Sequence, residues 1–195
     1  MTANRLRRLI RKTPLRPLLK MFASVLNQVP RHPLQKAWEA PGIEIVHLGS
    51  DYGGWSFVDS GTLHNCVIIS AGLGEDASFD VDFASAYDAT VVLVDPTPKA
   101  VQHYNKMSQA FGNLPSMEYV AGGKQPIEAY NLSSASSRNL RLVKKALWNQ
   151  DTTVKFFEPN DPEHVSHSIT NFQNGYAVDA PYIEVEAITI STLLA

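Results

Sequence analysis

The chain of 195 residues has a single cysteine, no acidic residue before Glu39 and no apolar run near the length of a membrane span. One thiol, Cys66, cannot close an internal disulfide, so nothing points to an oxidising compartment and the expected location is cytoplasmic. Within the apolar run Cys66-Val67-Ile68-Ile69, a small buried hydrophobe is the expected role for this residue. A bilayer-crossing helix needs about 20 consecutive apolar residues, so the protein is expected to be soluble. Charged residues are also sparse, 18% against 44% hydrophobic. That balance excludes a disordered chain and suits one domain with an appendage.

The missing acids create an asymmetry. Residues 1–36 carry nine Lys or Arg and no Asp or Glu. The other eight basic residues then face all 19 acids, a net charge of −11. Such a body has no general attraction for phosphates, so no nucleic-acid partner is expected. We divide the chain into a basic arm, 1–36, and a domain, 37–195. Within the arm Leu18, Met21, Phe22, Val25, Leu26 and Val29 recur at helical spacing between Pro17 and Pro30. This predicts an amphipathic helix. It would either pack on the domain or make a peripheral contact with an anionic membrane surface or a protein. An Arg-rich, acid-free start also resembles a transit peptide, although serine is scarce.

From residue 43 the pattern changes. Ile43 to Leu48 alternates like a strand, and residues 49–55 read as a loop. The unbroken apolar runs 66–69 and 91–94 suit strands buried on both faces, as in a parallel sheet. Helices are expected over residues 77–88, where Phe79, Phe83 and Tyr87 are spaced by four, and over Lys99 to Phe111. Strand, helix, strand, helix implies βαβ units and a doubly wound α/β sheet. Residues 112–138 read as a long irregular segment, followed by strands over 140–147, 152–157 and 182–188.

In such a sheet a ligand sits beyond the carboxyl ends of the strands, at the turns after Ser70 and after Val94. The first turn carries Gly72 and Gly74, which admit a close backbone approach beside a helix N-terminus. The second opens with Asp95, an acid able to accept hydrogen bonds from ribose hydroxyls. The 23 residues from Gly72 to Asp95 fit either a dinucleotide or an adenosyl ligand. Gly72-Leu73-Gly74-Glu75-Asp76-Ala77 even satisfies G-x-G-x-x-A, a weak signal by itself. Glu75 and Asp76 weigh against a dinucleotide. Like charges about 4 Å apart cost roughly 1 to 4 kcal/mol at effective dielectrics of 80 to 20, so a pyrophosphate is repelled. S-adenosyl-L-methionine brings a sulfonium and an ammonium, which carboxylates attract. The alternative is that one or both acids simply favour the helix N-terminus electrostatically.

Five stretches in order extend this pattern: Tyr52-Gly53-Gly54-Trp55, Ser70 to Asp80 (SAGLGEDASFD), Val94-Asp95-Pro96-Thr97-Pro98, Ala146-Leu147-Trp148-Asn149 and His164 to Ile169. Together, over residues 50–195, they resemble the FkbM-type methyltransferases, in the branch with a GIGEDISFD-like first motif and an FDPTP-like second. The resemblance implies a Rossmann-like class I S-adenosyl-L-methionine-dependent methyltransferase, usually acting on oxygen of a small molecule or glycan. It implies that Gly72, Gly74 and Asp76 form the methionine-side loop, that Ser70 and Glu75 also bind the cofactor, and that Asp95, with Pro96 and Thr97, holds the ribose. Leu147 and Trp148 would border the adenine, although Trp148 equally suits ordinary core. It also implies a further strand ending like Leu-Lys-Ile-Asp-Val-Glu-Gly, which this chain lacks. The C-terminal strands are thus expected to be missing, leaving an apolar sheet edge open to a partner.

Methyl transfer to an alcohol wants a base, and His164 and His167 are the local candidates, His167 the weak first choice. The alternative for both is loop hydrogen bonding; as a metal pair they lack a third ligand, and no metal is expected. Tyr52 and Trp55 would close over the cofactor or be core aromatics. Two other functions stay open. One is a catalytically inactive, truncated cofactor-binding or interaction module. The other is an NAD-dependent oxidoreductase, disfavoured by the acid pair and by the lack of a Ser with Tyr-x-x-x-Lys constellation.

Overall fold

Val91, Val92, Leu93 and Val94 are 0% to 2% exposed, and the sheet is built around them. A run of β-branched and aliphatic residues buried on both faces suits a strand with a neighbour on each side. The computed structural model describes residues 44–161, 164 and 166–195. In it three strands are parallel in the order β3-β4-β5: β3 (Val67–Ala71), β4 (Thr90–Val94) and β5 (Leu140–Val143). Val67 pairs with Thr90 and Ala71 with Val94, while Val91 pairs with Leu140 and Val94 with Val143. β3 is therefore an edge strand among the described residues, and its Val67 is 62% exposed.

Helix α1 (Ser78–Tyr87) joins β3 to β4, and α2 (Pro98–Gln109) follows β4. Phe79, Phe83 and Tyr87 stack along α1, with ring centroids 5.6 and 4.8 Å apart. Phe57 meets all three at 5.6 to 6.1 Å. Aromatic pairs at such distances add to their burial. Phe57 belongs to a strand missed from sequence, β2 (Trp55–Asp59), which pairs antiparallel with β1 (Glu44–Leu48). The hairpin exists because Phe57 docks it on α1. In α2 the buried residues are Ala100, His103 and Met107, one stripe of a helix opened by Pro98 at its first position.

The stretch 140–147, expected as one strand, is two. Lys144 and Lys145 interrupt the apolar run, the Lys145 N–H turning back on the Val143 carbonyl at 2.9 Å. The chain thereby passes from β5 into a second, mixed sheet. There β6 (Ala146–Leu147) runs parallel to β8 (Tyr182–Ile188), and β7 (Thr152–Phe157) runs antiparallel to it. Its small core is Ala146, Val185 and Ala187, with Val154, Phe156 and Ile183 packed on it. A single-turn helix, α3 (Ile190–Leu193), follows. The described chain is thus α/β with mixed sheets and few helices. The basic arm and its expected helix lie outside the described residues, as does Ile43. Among the described residues no helix is long and apolar enough to cross a membrane. Cys66 is half-buried against the main core, not fully buried as expected.

Candidate functional site

Where β3 and β4 end side by side, their two turns are tied by one side chain. Asp95 accepts the Gly74 N–H on Oδ2 at 3.0 Å, and on Oδ1 the N–H and hydroxyl of Thr97 at 2.8 and 2.7 Å. The Gly72 N–H reaches the Val94 carbonyl at 3.0 Å. Gly72 itself has φ +97°, and a Cβ there would meet nothing within 4 Å. Its glycine answers a backbone demand and leaves an open approach. Beyond these turns lies a cavity of about 490 Å³, within the usual range for small-ligand sites.

Most sequence candidates meet on this cavity. Ser70, Gly72, Gly74, Glu75, Asp76, Asp95, Pro96, Thr97, Leu147 and His167 all line it. Trp148 does not: it is 41% exposed and tied by its backbone N–H to the Ile188 carbonyl at 3.0 Å. His164 is also outside the lining, mostly exposed and 3.7 Å from Asp161. Tyr52 and Trp55 line the cavity yet are 65% and 68% exposed, so neither is core.

The acid pair is already engaged by the protein. Glu75 pairs with Lys124 at 3.1 Å, and its carbonyl accepts the Gln125 N–H at 2.9 Å. Asp76 accepts the Ser50 hydroxyl at 2.7 Å and the Ser78 N–H at 2.9 Å. The second bond supplies an orphan donor at the start of α1. Ser50 Oγ in turn accepts the Gly53 N–H at 2.9 Å. This packs Gly53 so tightly that a Cβ there would fall 2.6 Å from Asp76 Oδ2. The Tyr52-Gly53-Gly54 loop is thus shaped by contact with the glycine turn.

Sequence reasoning passed over a third acid. Asp80 lines the same cavity, is 4% exposed, and its Oδ1 has no hydrogen-bond partner. Ser70 hydrogen-bonds the carboxyl, but burial dominates, helped by the charge of Asp76, and pushes its pKa up to about 7. The signal was present: three residues after Ala77 and four before Ala84, position 80 lies on the buried face of α1. Behind it the Ala77 N–H donates to the Tyr130 hydroxyl at 3.0 Å, which shares a 2.7 Å hydrogen bond with His103 Nε2. Burial lowers the His103 pKa. Asp82, on a neighbouring cavity, is raised by burial too. Its oxygens, however, take the Tyr119 hydroxyl at 2.7 Å and the Gly49 N–H at 3.0 Å.

In sum of charge, Glu75, Asp76, Asp80 and Asp95 line the cavity, and among the described residues no lysine or arginine does. No group of three or more His, Cys, Asp or Glu suited to a metal ion occurs among the described residues. No family model, curated protein or solved structure matches the chain.

Proposed function

We propose that the domain is the cofactor-binding part of an S-adenosyl-L-methionine-dependent methyltransferase with a Rossmann-like class I sheet. Its acceptor would be a hydroxyl on a small molecule or glycan. The observation that carries this reading is the crevice of four acids, one of them paired with Lys124, with no lysine or arginine among its described lining residues, set at the ends of two adjacent parallel strands. An anionic crevice favours a cationic ligand over a pyrophosphate by the Coulomb term. The resemblance to FkbM-type methyltransferases supports the same choice.

The residues suit the group. The unpartnered oxygen of Asp80 and the open face at Gly72 are what a cationic, adenosyl-bearing ligand would use. Asp95 already accepts three hydrogen bonds. A carboxylate offers about four acceptor sites, so Asp95 has one left for a ribose hydroxyl. Leu147 and Phe156 offer apolar wall for the base. When bound, the cofactor would supply an electrophilic methyl group. The protein's part is to orient it, exclude water and leave His167 within the cavity to take a proton from the acceptor hydroxyl. Calorimetry tests the reading. S-adenosylhomocysteine is expected to bind and NAD not to; NAD binding alone would overturn it in favour of an oxidoreductase.

A further inference from the structure

Each acid on the crevice other than Asp80 has a partner and no buried oxygen left without one: Glu75 pairs with Lys124, Asp76 with Ser50 and Ser78, Asp95 with Gly74 and Thr97. Asp80 keeps a free oxygen out of contact with bulk water. A buried carboxyl left in this state costs folding free energy, and such costs gather where a ligand compensates them. The groups around it are Ser70 on β3, Asp76 on the glycine turn and Tyr130 behind the start of α1, with Asp82 on the same helix. Across the cavity stand Glu75 with its Lys124, Asp95 and His167. None of the described lining residues is a lysine or arginine, so none of them offers Asp80 a cation.

We propose that Asp80 is the residue through which the crevice takes an ammonium group, the α-ammonium of an amino-acid-bearing ligand seating on its Oδ1. The inference rests on the adenosyl reading above. A sulfonium satisfies the field of the carboxylate but carries no hydrogen for its lone pairs; an ammonium satisfies both. Because burial holds the carboxyl near half-protonation at neutral pH, binding of an ammonium releases its proton to solvent. Ligand uptake is then coupled to pH through this one side chain.

The test is calorimetry on the full chain and on Asp80→Asn at pH 6 and pH 8. One probe is S-adenosylhomocysteine; the other is 5′-methylthioadenosine, which shares the adenosine and sulfur but lacks the amino acid. A group titrating near 7 is roughly one-tenth ionised at pH 6. The wild-type protein should therefore bind S-adenosylhomocysteine about tenfold more tightly at pH 8. Asp80→Asn should lose that pH dependence and at least about tenfold in affinity at pH 8. Methylthioadenosine should respond to neither change. A pH-independent wild-type affinity, an unaffected Asp80→Asn, or an equal loss for methylthioadenosine would overturn the assignment. Should neither adenosyl compound bind the wild type, the methyltransferase reading fails and millimolar L-methionine decides Asp80 alone. Binding that Asp80→Asn abolishes would support the ammonium site, and no binding to the wild type would refute it.

Discussion

Asp80→Asn should make the protein more stable, and increasingly so as pH rises. Asp80 is raised from an ordinary 3.8 to about 7 in the folded state. A folded-state pKa above the unfolded one means that the native protein holds the proton more tightly. The associated stability is whole below about pH 3.8, falls between the two pKa values and is gone above the folded one. Each unit is worth about 1.4 kcal/mol, so three units amount to about 4 kcal/mol at pH 8. Of this, about 2.5 kcal/mol develops between pH 5 and pH 8, where the unfolded chain is ionised and the folded one is losing its proton.

Asparagine keeps the shape and an acceptor for Ser70 but has no proton to release. The assay is urea unfolding of both proteins at half-unit steps from pH 5 to pH 8, extrapolated linearly to water. Asp82, raised by burial, and His103, lowered by it, titrate in both proteins and cancel in the difference. A constant offset from the changed hydrogen bond to Ser70 also leaves the slope untouched. Parallel curves for the two proteins would refute the reasoning. They would mean that Asp80 is hydrated or paired, and the case for an unsatisfied acid at the crevice would go with it.

Two further substitutions probe the frame of the site. Asp95→Ala removes the acceptor of the Gly74 and Thr97 N–H groups; at about 1 to 3 kcal/mol per buried donor left unpaired, unfolding should show a clear loss. Affinity for S-adenosylhomocysteine should drop at least about tenfold, since a charge-assisted hydrogen bond is worth about 1.5 to 3 kcal/mol. An affinity within twofold of wild type would remove the ribose assignment. Gly53→Ala drives a methyl into the Asp76 carboxyl and should cost about 1 to 3 kcal/mol, read by thermal unfolding. Pairing it with Asp76→Ala should relieve much of that cost, and strictly additive losses would show that the two residues are not in contact.

How far the sequence could have led here depends on the distance over which each feature is decided. β4, α1 and α2 were legible because their signals are local: a β-branched run, an aromatic every fourth residue, a proline at a helix start. β2 was hidden because Trp55 to Asp59 follows the glycines of its own turn directly, and what makes it a strand is Phe57 resting on α1. The split of residues 140–147 was visible in Lys144 and Lys145, two charges that an unbroken buried strand could not carry.

The site divides along the same line. That Gly74 and Asp95 meet follows from parallel strands ending together, a rule of topology that sequence spacing reflects. The standing of the acids does not. Glu75 and Asp76 look available in a sequence because Lys124, Ser50 and Gln125 are 26 or more residues away. Asp80 looks ordinary because an acid in the first turn of a helix has a ready electrostatic reason to be there. Only the three-dimensional inventory of donors reverses the ranking. Two acids that announce themselves serve chiefly to fix the glycine turn against its neighbours, and the third is left with an oxygen to offer. The sign of the field at the crevice was readable from the chain, whereas the atom on which a ligand's charge would rest was not.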